Sequence, residues 1–118
     1  MIVHIVLLRP RTSLGSEGRQ AALNALTESA RSLPGIARFR IGRRVRHGLP
    51  GYEQQMTEDY EFALLLEFES IDALKAYLGA PAHGVLGDLF TTATSAALSY
   101  DYDMRDVGTV PAEWVQGP

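Results

Sequence analysis

The chain has no cysteine, one lysine and one tryptophan in 118 residues. Without cysteine there is no disulfide, no thiolate nucleophile and no Cys-ligated metal or iron–sulfur centre. No apolar run approaches the roughly 18–20 residues of a membrane helix. Met1 to His4 lack a basic segment ahead of their short apolar stretch, so neither a membrane nor a secretory address is expected and the expected location is the cytoplasm. The basic residues number 11 against 14 acidic ones, a formal net charge of −3, which opposes nucleic acid as the main partner. Gly84 and Gly87 are too few and wrongly spaced for a dinucleotide fingerprint. Three dispersed histidines do not make a metal site, so no metal and no cofactor is expected.

What is present suits one packed domain: 46% apolar and 21% charged residues, with 11 Gly and 6 Pro. Residues 2–9 are β-branched and apolar apart from His4, as in a central strand covered on both faces. From about Ser16, Ala22, Leu26, Ala30 and Leu33 recur at helical spacing until Pro34-Gly35 stops the helix. Residues 37–46 alternate, Phe39, Ile41 and Val45 against Arg38, Arg40, Arg44 and Arg46, and predict a second strand. A loop over 47–58 precedes a third strand over 59–69. Ser70 is a candidate N-cap for a short helix ending near Gly79, and Pro81 opens another that weakens over 91–97. Leu98–Met104 completes the pattern, and residues 105–118 form an irregular C-terminal tail.

Strand, helix, two strands, helix, strand is the α+β, ferredoxin-like split βαβ arrangement. It predicts a four-stranded antiparallel sheet with helices on one face. The first and third strands are apolar on both faces, so the uncovered face requires a cover. An identical sheet is the economical one, giving a homodimer by sheet-to-sheet packing.

His4 shares a strand face with Ile2, Val6 and Leu8, and Asp101 shares one with Ser99 and Asp103. If the first and last strands are neighbours, both point between sheet and helices. There Val6, Leu23, Leu26 and Leu86 are the candidate lining of a small-molecule pocket. His83 follows Pro81 at a helix start, where the macrodipole favours neutral imidazole. Asp101 is a candidate orienter of His83, and Tyr77 a candidate donor to a carbonyl oxygen. The run Arg38–His47 interleaves cations with an aromatic, but the acids Glu53, Glu58, Asp59, Glu61, Glu67 and Glu69 beside it make cross-strand charge pairing sufficient.

His4-Ile-Val-Leu-Leu, Leu33-Pro-Gly-Ile36, Tyr60-Glu-Phe-Ala-Leu and above all Ala73-Leu-Lys-Ala-Tyr-Leu-Gly-Ala-Pro-Ala-His83 resemble the stress-responsive dimeric α/β-barrel (Dabb) family over residues 2–104. The resemblance implies a Dabb domain over 1–104 in a dimeric α/β barrel. It extends to olivetolic acid cyclase-type polyketide cyclases, whose functional residue types are matched by His4, Tyr77, His83 and Asp101. It implies cofactor-free proton abstraction and aldol-type cyclisation, with His83 as base, Tyr77 as donor and His4 positioning substrate. Those cyclases line an alkyl pocket with helix-one aromatics, where this chain has Ala22, Leu23, Leu26 and Thr27, so their substrate does not carry over. A non-enzymatic stress-responsive barrel and a cofactor-independent monooxygenase stay open as alternatives.

Overall fold

A computed structural model describes residues 1–117. β1 (Ile2–Pro10), α1 (Ser16–Ser32), β2 (Arg38–Arg43), β3 (Phe62–Phe68), α2 (Ile71–Gly79), α3 (Pro81–Ala93), β4 (Thr94–Asp103) and α4 (Ala112–Gln116) follow in order. The strands form one antiparallel sheet in the order β2-β3-β1-β4. This is the ferredoxin-like architecture the element order predicts.

The register decides which side chains meet. His4 lies opposite Leu66 on β3 and Asp101 on β4, and Val6 lies opposite Leu64 and Ser99. With period two, Ile2, His4, Val6 and Leu8 all face the helices. Leu64, Leu66 and Phe68 are almost fully buried there against Leu26, Leu33, Leu74, Tyr77 and Leu86. Each such side chain contributes about 1.5–3 kcal/mol by leaving water.

Local signals set the helix ends. The Ser70 hydroxyl accepts a hydrogen bond from the Ala73 N–H at 3.1 Å, capping α2. Pro81 occupies the first turn of α3, where its missing N–H has no cost. After α1, Gly35 takes a φ of 83°, a left-handed turn that any other residue would resist. It lets the chain reverse toward Ala73 of α2.

Three boundaries differ from the sequence reading. β4 begins at Thr94 rather than near Leu98 because α3 passes into it without a loop. Arg11 makes that junction possible. Its backbone N–H donates to Ala93 O, and its guanidinium donates to the carbonyls of Thr91 and Thr92, satisfying carbonyls at the end of α3. β2 ends at Arg43 and β3 starts at Phe62, since the ladder between them stops at the Arg43–Phe62 pair. The segment after residue 104 is also less irregular than its sequence suggests: Val107–Thr109 forms a 3₁₀ turn and Ala112–Gln116 a short helix. Arg105 sits over the Trp114 ring, 5.8 Å from its centroid.

The other sheet face carries Ile5, Leu7, Leu65, Leu98, Tyr100 and Tyr102, by their alternation with the helix-facing residues. Leu98, Tyr100 and Tyr102 are exposed, and Ile5, Leu7 and Leu65 only half-buried. Val3, on this same face, is buried. No helix is long and apolar enough to cross a membrane among the described residues.

Candidate functional site

The β1–β4 ladder brings His4 and Asp101 face to face, and their side chains meet. His4 Nδ1 lies 2.5 Å from Asp101 Oδ1. The carboxylate can only accept, so Nδ1 carries the proton and donates it. Ser99, two residues earlier on the same face of β4, places its hydroxyl 3.5 Å from His4 Nε2. His4 is buried, with 5% of its surface exposed, whereas the Asp101 side chain keeps 41% and stays hydrated.

Tyr77, 2% exposed, projects from α2 into the same region. Its ring meets His4 at 5.9 Å between centroids and His83 at 4.7 Å, both edge-on. Phe68 supports it from the sheet at 5.3 Å. Burial pushes the Tyr77 phenol up to about 12, so near neutrality it is protonated, a hydrogen-bond donor rather than a base.

His83 is the third residue of α3, and its own N–H donates to Ala80 O at 3.0 Å. Burial lowers its imidazole pKa from the usual value, and the charge of a protonated His4 lowers it further, while the Leu78 carbonyl acts the other way. The helix N-terminus works in the same direction as burial. Both effects favour the neutral form of the His83 ring.

The four candidate residues therefore come together in the sequence Asp101, His4, Tyr77, His83. One expected contact is replaced. Asp101 does not orient His83; it binds His4, because the two are direct cross-strand partners while His83 stands beyond Tyr77. The signal was the strand alternation itself, which puts His4 and Asp101 on one face, but the register is not readable from one chain.

The pocket residues divide. An apolar cavity of about 150 Å³ lies between the sheet, α1 and α3, lined by residues including Leu8, Ala22, Leu23, Leu26, Phe62 and Phe90. Leu23 and Leu26 line it. Val6 and Leu86 do not; both are buried in the core, and on β1 Val6 stands between His4 and Leu8. The cavity meets β1 at Leu8 and Pro10, and Leu8 is four strand residues from His4, roughly 13 Å along β1. Phe62 and Phe90 were missed as lining because each reads as ordinary core.

His47, edge-on to Tyr52 at 4.9 Å, is remote in sequence and contact from this cluster. No group of three metal-ligating side chains occurs among the described residues.

Solved structures share the fold. A hydroxynitrile lyase from Passiflora edulis aligns with a TM-score of 0.78 at 14% identity, over 93% of this chain and 96% of that one. A Dabb family protein with a ferredoxin-like fold from Mesorhizobium loti aligns at 0.70 and 20% identity, over 89% and 97%. A dimeric ferredoxin-like protein of unknown function from Jannaschia sp. aligns at 0.68 and 26% identity, over 87% and 98%. No curated protein matches the sequence. The Stress responsive A/B Barrel Domain (Dabb) model matches residues 2–104, nearly the whole of the sheet and helices described above, and the chain belongs to the Dabb family.

Proposed function

We propose that the protein is a cofactor-free acid/base catalyst acting on a small carbonyl compound, in the manner of a polyketide cyclase. The observation that carries this reading is the contact of a His83 held neutral with a buried, protonated Tyr77, 4.7 Å between ring centroids. His83 takes a proton from the carbon between two carbonyls. Tyr77 donates a hydrogen bond to the carbonyl oxygen as negative charge grows on it. The enolate carbon attacks a second carbonyl of the same molecule, and the imidazolium returns its proton to the new alkoxide. Asp101 fixes the ring of His4, and that pair positions Tyr77 and the substrate rather than carrying the proton.

The same reading includes a homodimer and a soluble cytoplasmic protein. The half-buried and exposed apolar residues of the uncovered sheet face support the dimer, as does the description of the Jannaschia protein as dimeric.

A second reading, a non-enzymatic barrel with a structural polar cluster, is favoured by one observation: Val6 and Leu86 are packed in the core rather than lining the cavity. The test is turnover of a linear poly-β-keto thioester, followed by chromatography of the cyclised product, in wild type and His83→Ala. Loss of product with an unchanged melting temperature is expected. Equal turnover in both proteins overturns the role of His83, and oxygen uptake during turnover points instead to a monooxygenase.

A further inference from the structure

The far end of the sheet holds a second feature that acid/base chemistry does not use. Arg9 at the end of β1, Arg11, Arg19 in the second turn of α1, and Arg43, Arg44 and Arg46 at and beyond the end of β2 line one cleft with only two carboxylates, Asp59 and Glu61. Arg19 and Arg43 share Glu61, and Arg44 and Arg46 share Asp59. Arg9 reaches Glu58 at 3.6 Å. Five of these guanidinium groups thus share three acids while that of Arg11 donates to the Thr91 and Thr92 carbonyls, a local positive excess on a chain whose formal net charge is −3. Each guanidinium has five N–H donors, so pairing with shared carboxylates leaves donors over.

The cleft adjoins the apolar cavity, and Pro10 and Arg19 belong to both. Arg19 marks the boundary: its guanidinium binds Glu61 on one side and lies 6.0 Å from the ring centroid of the cavity residue Phe62 on the other. From Arg19 to Leu26 the cavity follows two turns of α1, roughly 10 Å. Its volume of about 150 Å³ is roughly five water volumes, room for a short alkyl chain and too little for a fused ring system.

We propose that this end of the protein binds an amphiphilic acid, its anionic head on the arginine cleft and its alkyl chain in the cavity beneath. A cation-lined cleft alone would take any anion, and an apolar cavity alone any hydrocarbon. Their junction at Arg19 selects a molecule that is both. Arginine suits the head because its planar fork meets a carboxylate or phosphate through paired N–H bonds. This goes beyond the catalytic reading and does not depend on it, since binding is measured without turnover.

The test is titration of the full chain with hexanoate, 1-hexanol and acetate, followed through the Nε–H resonances of the arginines and the methyl resonances of Leu23 and Leu26. Hexanoate is expected to bind at least about tenfold more tightly than either control, because acetate lacks the buried methylenes and hexanol lacks the charge. Arg43→Gln, on an exposed side chain, is expected to weaken hexanoate and leave hexanol unchanged, and Arg19→Gln, at the border of both sites, to weaken hexanoate more than hexanol. Ala22→Leu, which fills the cavity, is expected to remove the methyl shifts. Hexanol or acetate matching hexanoate, or hexanoate affinity unchanged in both arginine variants, overturns the proposal. Failure of cyclisation with hexanoate still bound would count against the acid/base reading alone.

Discussion

The helix-covered face of the sheet has two ends built on one strand, and they are packed by opposite rules. At the His4 end, the aromatic and imidazole rings of Phe68, Tyr77 and His83 fill the space between β1, β3 and the start of α3. At the Leu8 end, Ala22, Ala93 and Thr94 leave a hollow. The chemistry-bearing groups thus sit among rings in mutual contact, and the apolar cavity lies at the other end of the same strand. Side-chain volume accounts for part of the difference, since Ala22, Ala93 and Thr94 stand among the leucines and the two phenylalanines that line the cavity.

The comparison breaks most completely at Phe68, which is fully buried and braces Tyr77. Phe68→Ala should cost about 3–5 kcal/mol, read as a lower denaturant midpoint, with the Tyr77 ring resonances broadened and the cavity end affected only through global unfolding. His4→Ala should cost about 1–3 kcal/mol, less than Phe68 because Asp101 is partly exposed and rehydrates when its partner is gone. Ala22→Leu should act in the other direction. Filling the hollow should add about 0.5–1 kcal/mol, and a loss of similar size would mean the hollow is already at its natural volume.

The smallest effect is one of pH. His83 has a folded-state pKa below its ordinary value of 6.5, so the unfolded chain takes up its proton first as pH falls. The stability associated with the neutral ring is therefore complete above about pH 6.5 and is lost as pH drops through the lower folded value. His83→Gln should flatten that part of the pH–stability curve, measured as urea midpoints between neutral and acid pH. An unchanged slope would place the acid sensitivity elsewhere.

Much of this arrangement is legible in the sequence, and for definite reasons. The apolar runs of β1 and β3, the alternation of β2, the Ser70 cap, the Pro81 helix start and the order of elements are local signals, and they suffice for the sheet and its helices. The meeting of His4 and Asp101 follows from strand faces plus that topology, while Tyr77 and His83 join them through the family resemblance. What local signals could not supply was register and volume. Asp101 pairs with His4 rather than His83 because of a cross-strand offset set by the whole ladder. Val6 and Leu86 are core and Phe62 and Phe90 cavity because of where small residues on α1 and at the α3–β4 junction leave space. The direct passage from α3 into β4 was also hidden, since its support comes from Arg11, some eighty residues away in sequence.

One feature of the sheet order gives the polar end a clock. β4 pairs with β1 on one side and with nothing described on the other, while β1 is held on both. A strand with a single ladder frays ahead of a central one, and the residue that leaves with it is Asp101. The His4–Asp101 bond therefore persists only as long as the rim of the sheet does, and amide exchange along residues 99–103 measures its lifetime. A partner that seals that rim would lengthen the lifetime without touching either side chain.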